Sequence, residues 1–223
     1  RLLDYRPYRK SVYAWQRALP AGVELEKFQT QAAANLDLGL EGAQNVVYFT
    51  HDYFANTSDK NSFIQTTSKL AKKHGVKNFV AVCPIEHELY WTEDNHTPIE
   101  KRDEAQQHAL QANGNLTILN TNLVFGKDSY LLHYMTQCVA GGKIPKSIGG
   151  SKGFQYKPIA CDDLTTAVET AFKTAEAKGK RFSVNGTQNA TLNDLLGMTQ
   201  KLVGNDNTKL AGSLLGLGLS DYV

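Results

Sequence analysis

Short apolar runs alternate with longer helix-period segments through the middle of the chain. Residues 45–50, 78–83 and 116–119 are apolar runs of strand length, which are typical of strands buried on both faces. The segments between them, 61–74 and 99–111, repeat their apolar residues with a helical period. This alternation predicts parallel strands joined by crossover helices.

Capping and breaking residues delimit these segments. Thr97-Pro98-Ile99-Glu100 has the form of a capping box with proline at the first helical position, and Asn113-Gly114 ends that helix. Gly75 ends the helix before it, and Pro84 ends the strand between the two helices. The order strand, helix, strand, helix, strand is therefore marked at each boundary.

Three more helices and a short strand are predicted in the second half. Residues 128–139 have helical spacing, and the segment that Asp162 or Asp163 is expected to cap carries the clearest amphipathic stripe. A strand over 181–184 precedes a last helix, which Thr191-Leu192-Asn193-Asp194 is expected to cap. We expect the inward face of that helix to be formed by Leu195, Leu196, Thr199, Leu202 and Val203.

The first 44 residues have a weaker pattern. Residues 11–16 and 23–28 are strand candidates, residues 32–40 form a short predicted helix, and before them only residues 1–5 suit a helix, because a proline follows. A doubly wound dinucleotide-binding domain begins with a strand and a glycine-rich turn. The pattern enters an α/β sheet partway, so we expect both of these to precede Arg1.

Composition and charge narrow the class of protein. The chain has 223 residues, 41% of them hydrophobic and 21% charged, and its 24 Lys and Arg nearly balance its 22 Asp and Glu, giving a net charge of +2. This is the profile of an ordinary globular protein. No run of Lys and Arg exceeds two residues, so a nucleic-acid partner is not expected. No apolar stretch reaches 18 residues, so contact with a membrane is expected to be peripheral.

Cysteine and histidine usage predicts no metal site and no disulfide framework. Cys83, Cys138 and Cys161 are widely spaced without a C-x-x-C pattern, which favours a reducing compartment. The His- and acid-rich segment 86–96 matches no metal motif and is interpreted as a polar loop. Residues 149–153 (GGSKG) match the G-x-S-x-G pattern of a nucleophile elbow. That motif works on a turn from a strand to a helix, whereas here it precedes a predicted strand, so it is interpreted as a turn.

Several segments together resemble the extended and atypical short-chain dehydrogenase/reductase family. Leu40 to Phe49 is similar to the family's "L-x-G-x-D-V-V" helix, turn and strand, and residues 71–80 to "A-x-x-x-G-V-x-x-F-V". Residues 116–126 are similar to "x-T-I-L-R-P-x-x-V-F-G". Residues 154–159 and 162–164 follow in the family's order as a substrate-domain strand and a "V-D-D-V-A" helix start.

This resemblance spans roughly Ser11 to Gly204 and implies a Rossmann-like α/β fold with a doubly wound parallel sheet. Residues 1–126 would form the nucleotide-binding-type domain, incomplete at its start, and residues 127–223 a small C-terminal α+β lobe interleaved with it. Within the family, Asn122 to Ile148 looks most like the NAD(P)H-binding accessory subunit of mitochondrial respiratory complex I. That resemblance implies other subunits of this membrane complex as partners and a peripheral place on the matrix side of the inner membrane.

The family's catalytic positions are altered. Its members use a tyrosine, a lysine four positions later and a serine at a strand end; the lysine ammonium lowers the pKa of the phenol, which then exchanges a proton with the substrate. Thr97 and Lys101 are the aligned pair here, and Cys83 or Pro84 takes the serine's place. An aliphatic hydroxyl is far less acidic than a phenol. The resemblance therefore implies no catalytic residue and a nucleotide held as a structural ligand.

Four residues are implied as contacts of a nicotinamide nucleotide, with NADP(H) favoured. Lys101 would hydrogen-bond the nicotinamide ribose, and Arg17 would match the ribose 2′-phosphate. Thr50 and Asn122 follow strands at the ends where an open α/β sheet binds ligands. Each also has an ordinary structural interpretation, as a solvated lysine, a loop arginine or a loop cap.

Two other functions stay open. One is an NAD(P)-dependent reductase or epimerase that uses Cys83 or a displaced tyrosine such as Tyr90. The other is a nucleotide-free assembly factor or scaffold. Turnover with NAD(P)H would indicate the first, and the absence of bound nucleotide in denatured protein would indicate the second.

Overall fold

The computed structural model describes residues 2–4, 25–27, 33–49, 57–84, 99–126, 129–140 and 155–203. In chain order the elements are β1 (Leu2–Asp4), β2 (Leu25–Lys27), α1 (Ala33–Leu40), β3 (Asn45–Phe49), α2 (Thr57–Lys73), β4 (Asn78–Pro84), α3 (Ile99–Ala112), β5 (Leu116–Thr121), α4 (Tyr130–Ala140), α5 (Cys161–Lys173), β6 (Arg181–Val184) and α6 (Leu192–Val203). A short 3-10 turn, Ala175–Ala177, follows α5. From α1 to α4, helices and strands alternate as the hydrophobic pattern of the middle of the chain predicts.

Four strands form a parallel sheet in the order β3-β4-β5-β6. Because neighbouring strands are parallel, each connection must cross back over the sheet, and α2 and α3 are the first two crossovers. β1 and β2 form a separate parallel pair. The predicted Rossmann-like α/β fold is confirmed.

The central strands are buried on both faces. Alternate residues of β4 contact two different layers of helices: Phe79, Ala81 and Cys83 pack with residues of α2 and α3. Val80 and Val82 pack on the other face, where α5 lies. This two-sided burial explains why β4 is a continuous apolar run rather than an alternating one.

A further cluster connects the second half of the chain. Its buried residues come from α4, α6 and the segments beside them: Leu123, Met135, Val139, Tyr156, Leu192, Leu195 and Leu196. α6 begins with the predicted capping box, in which the Asp194 amide donates to Thr191 Oγ1 at 3.1 Å and the Thr191 amide donates to Asp194 Oδ2 at 2.8 Å. β6 is a strand of the main sheet and α5 packs against that sheet, although both follow residue 127 in the chain. The division into domains at residue 126 stays a prediction.

Two expectations about strands are wrong. Residues 2–4 form a strand instead of part of a helix, because their backbone pairs in parallel with Leu25–Lys27, a non-local contact that overrides local pattern. β3 is not fully buried: Val47 is 38% and Phe49 55% exposed. Within the described residues β3 pairs with β4 alone, and no described element covers the face that carries Val47 and Phe49.

Two expectations about helices are also wrong. Asp162 and Asp163 do not cap α5; the N-cap is Ala160, without a side-chain hydrogen bond, and both carboxylates lie in the first turn, where they interact favourably with the helix dipole. Leu202 is 75% exposed, because no described element covers that side of the last turn of α6. In the part of the chain described here, no helix combines the length and apolar character needed to span a bilayer.

Other predicted features lie outside the described residues. They are the strand over 11–16, the capping residues Thr97 and Pro98, the polar loop 86–96 and the turn 149–153.

Candidate functional site

The strands of the main sheet all end on one side, which we call the carboxyl edge and define by Phe49, Pro84, Thr121 and Val184. The strand registers pair Pro84 with Thr121 and Thr121 with Val184, so the ends of β4, β5 and β6 lie side by side. Phe49 pairs with Val82, two residues before the end of β4. Open α/β sheets bind their ligands outside the carboxyl ends of the strands, so this edge is the candidate site.

Two of the four predicted nucleotide contacts lie on elements that meet at the carboxyl edge. Lys101 is in the first turn of α3, which starts at this edge because it crosses back from β4 to β5. Asn122 directly follows β5 and is partly buried; its Oδ1 accepts a hydrogen bond from the Leu123 amide at 2.9 Å. Arg17, Thr50 and the side chain of Lys101 lie outside the described part.

Thr121, the last residue of β5, has a hydroxyl with no hydrogen-bond partner in the described structure. The residue is 0% exposed, and Oγ1 has no partner atom. A buried polar group left without a partner costs about 1–3 kcal/mol. A ligand group or ordered water that reached this atom would remove that cost. Thr67 Oγ1 in α2 and Arg102 Nε in the first turn of α3 share this property.

A buried amide pair beneath the carboxyl edge was not predicted. Gln106 Nε2 donates to Asn120 Oδ1 at 2.8 Å, and Asn120 Nδ2 donates to Gln106 Oε1 at 3.1 Å. The two residues are 2% and 5% exposed. In the sequence, the one sign of this pair is Asn120, a polar residue that directly follows the apolar run 116–119 of a buried strand.

Charged residues extend this pair toward β6. Arg181 Nη1 donates to Gln106 Oε1 at 3.3 Å and forms an ion pair with Asp103 Oδ1 at 2.9 Å. Arg102 Nη2 lies 3.3 Å from the same carboxylate oxygen. The network therefore connects α3, β5 and β6.

Cys83 has the surroundings of a packing residue. It is 4% exposed and belongs to the apolar cluster between the sheet and helices α2 and α3. Cys83, Cys138 and Cys161 form no disulfide. Burial in apolar surroundings disfavours the thiolate, the reactive form of cysteine.

A second polar cluster lies at the C-terminal end of α2, around Asp37 of α1. The Asp37 carboxylate accepts hydrogen bonds from Lys73 Nζ at 2.8 and 2.9 Å and lies 2.6 Å from His74 Nε2. The hydrogen bond from Lys73, followed by that from His74, lowers the pKa of Asp37 below its usual 3.8. Among the described residues no group of three or more His, Cys, Asp or Glu is arranged to hold a metal ion.

Comparisons with known proteins identify the fold. No family model and no curated protein matches the chain. The solved structure of gox2253 matches 97% of this chain and 71% of its own, with a TM-score of 0.64 and 16% identity. A UDP-glucose 4-epimerase from Thermotoga maritima, solved with UDP-glucose, matches 85% of this chain and 72% of its own, with a TM-score of 0.60 and 14% identity.

A third match is a double mutant of the dTDP-glucose 4,6-dehydratase DesIV from Streptomyces venezuelae, solved with NAD and DAU bound. It covers 88% of this chain and 70% of its own, with a TM-score of 0.59 and 17% identity. These structural neighbours are members of the extended short-chain dehydrogenase/reductase family. At such identities the likeness shows the fold of this chain, and it provides no link to complex I.

Proposed function

We propose that this chain is a nicotinamide-nucleotide-binding protein of the extended short-chain dehydrogenase/reductase family, with its nucleotide along the carboxyl edge. The observation that supports this most is the parallel sheet β3-β4-β5-β6, shared with neighbours of which one holds NAD. Ligands of open α/β sheets lie at this edge.

The described residues fit such a ligand. Thr121 Oγ1 is a buried hydroxyl without a partner at the end of β5, and Asn122 follows with a partly buried amide whose Oδ1 is held by the backbone. The backbone of Lys101 lies in the first turn of α3 at the same edge, and we propose that its side chain adds a positive charge beside the ribose. Arg17 and Thr50 stay proposed contacts from the sequence.

The reaction class that the neighbours favour is that of an NAD(P)-dependent reductase or epimerase, in which the bound nucleotide accepts or donates a hydride. One neighbour is an epimerase and another a dehydratase of nucleotide sugars. This chain must then provide a proton-transfer group. Thr97 is too weak an acid and Cys83 is buried in an apolar cluster, which leaves a displaced tyrosine such as Tyr90.

A second candidate function is supported by the replaced catalytic positions. Thr97 stands where the family has tyrosine, and Cys83 or Pro84 where it has serine. In this second proposal the chain is a non-catalytic accessory subunit of mitochondrial complex I that holds NADP(H) as a structural ligand. That proposal includes the other subunits as partners and a peripheral place on the matrix side of the inner mitochondrial membrane.

Thermal unfolding with added nucleotide tests the shared part of both proposals. A ligand that binds only the folded state stabilises it by about 2.7 kcal/mol at one hundred times its Kd. We expect NADPH or NADH to raise the unfolding temperature and AMP to raise it less, because AMP lacks the nicotinamide half. Equal unfolding temperatures with and without either nucleotide would contradict nucleotide binding.

A turnover assay then separates the two candidates. The purified protein is incubated with NADPH or NADH and a panel of carbonyl compounds, and with UDP-glucose for epimerisation. Turnover that is lost in Tyr90→Phe supports the reductase or epimerase. Nucleotide binding without turnover supports the structural ligand.

A further inference from the structure

Within the described residues, the amide pair between α3 and β5 is a buried polar feature near the carboxyl edge with three side-chain hydrogen bonds. We propose that Gln106 and Asn120, braced by Arg181, are positioning residues that fix the first turn of α3 against the end of β5 and so keep the nucleotide contacts in register. This inference rests on the proposed function, because it concerns the same edge.

The geometry of the pair restricts how α3 lies on the sheet. Each side-chain amide both donates to and accepts from the other, at 2.8 and 3.1 Å. Hydrogen bonds are directional, so two of them between the same two amide groups restrict the relative orientation of those groups more than a non-directional apolar contact does. Breaking the pair from one side leaves a buried amide unsatisfied, which is costly.

The pair lies close in sequence to the proposed contacts on both elements. Asn120 precedes Asn122 by two residues in the chain, and Gln106 follows Lys101 by five, about 7.5 Å along the helix axis. A shift of α3 would therefore move Lys101 relative to Asn122.

Arg181 adds a constraint from β6, a third element besides α3 and β5. Its Nη1 contacts Gln106 Oε1 at 3.3 Å and Asp103 Oδ1 at 2.9 Å. β6 therefore holds the second turn of α3, directly after the turn that contains Lys101. The Arg181 side chain is 37% exposed, which makes it replaceable without opening the core. If the network served packing alone, its removal would change stability without a separate effect on the ligand.

The test compares nucleotide affinity with stability in the variants Q106L, N120L and Q106L/N120L, using whichever of NADPH and NADH binds the wild type. Q106L leaves the Asn120 amide unpaired, and N120L leaves the Gln106 amide with Arg181 as its one remaining partner among the described residues. For each single variant we therefore expect a lower unfolding temperature and about tenfold weaker binding. The double variant removes both amides. We expect it to regain most of the unfolding temperature while its Kd stays at least fivefold above that of the wild type.

Ser68→Ala is the matched control. Ser68 Oγ donates to the Ala109 carbonyl of α3 at 2.6 Å and is 0% exposed, but it holds the other end of α3. We expect a lower unfolding temperature with unchanged affinity. A double variant Q106L/N120L that recovers both stability and wild-type affinity would overturn the positioning role and leave the proposed function intact.

Arg181→Met provides the same test if the double variant does not fold. We expect at least twofold weaker binding at a nearly unchanged unfolding temperature, and unchanged affinity would overturn the proposal. A wild-type protein that binds neither NADPH nor NADH would overturn the proposed function, and the positioning role with it.

Discussion

At the scale of single residues, the buried polar side chains differ in whether their hydrogen bonds are complete. Thr117 and Thr121 lie on the same strand, four residues apart, and both are almost fully buried. Thr117 Oγ1 donates to the Ala177 carbonyl at 3.0 Å, whereas Thr121 Oγ1 has no partner in the described structure. The complete bond stabilises the fold, and the free hydroxyl of Thr121 is where we propose that a ligand contacts the end of β5.

Replacing each of these threonines with valine tests that distinction. We expect Thr121→Val to stabilise the nucleotide-free protein by up to about 1 kcal/mol and to weaken nucleotide binding, because the unpartnered hydroxyl is removed. Thr117→Val should destabilise the protein by about 1 kcal/mol, since it removes the buried hydrogen bond to the Ala177 carbonyl, which then accepts, within the described residues, from the Lys180 amide alone. Urea unfolding without nucleotide measures both; equal destabilisation by the two variants would refute the interpretation of Thr121.

Asp37 gives a pH-dependent prediction at the same scale. Its pKa in the folded protein is lowered by hydrogen bonds from Lys73 and His74, so its contribution to stability is complete above the usual value of 3.8 and declines as the pH falls below it. Asp37→Asn should therefore lower the unfolding temperature at pH 7, with the difference from wild type narrowing toward pH 3. A variant as stable as the wild type at pH 7 would show that the cluster contributes nothing.

At the scale of elements, the sequence predicted those parts that local chemistry determines. β4 and β5 follow from continuous apolar runs, and α6 begins at a capping box formed by side chains three residues apart. The strand Leu2–Asp4 was missed because its pairing partner lies more than 20 residues away in the chain. The exposed Leu202 was missed because helical period indicates a face and not how far the neighbouring helix extends.

Two glycines test the packing of these elements with the same substitution. A Cβ on Gly186 would overlap the carbonyl oxygen of Pro158, whereas one on Gly197 in α6 would meet no atom within 4 Å. Gly186→Ala should lower the free energy of unfolding by about 1–3 kcal/mol through overpacking. Gly197→Ala should raise it by about 0.5–1 kcal/mol through helix propensity. Denaturant unfolding measures both, and a neutral Gly186→Ala would contradict the close approach.

At the scale of the whole molecule, the location of the candidate site could be predicted and its internal network could not. Parallel strands place Asn122 and the start of α3 on one edge whatever the details of packing. The pair Gln106 and Asn120, by contrast, depends on which face of α3 meets β5, and Arg181 reaches it from 75 residues away. These are tertiary contacts that no local pattern encodes.

At this scale the solved neighbours show the Rossmann-like fold of the chain. The reductase or epimerase and the protein with a structural nucleotide stay its two proposed functions. Both depend on one central claim, that a nicotinamide nucleotide binds at the carboxyl edge.

Isothermal titration calorimetry of the wild type and Asn122→Leu with NADPH and NADH tests that claim most directly. We expect saturable binding of at least one nucleotide at one site per chain, and clearly weaker binding by the variant, whose side chain removes the amide at the edge. A folded wild-type protein that gives no heat of binding with millimolar NADPH or NADH would contradict the claim. An Asn122→Leu variant that binds the nucleotide as tightly as the wild type would contradict its location at the carboxyl edge.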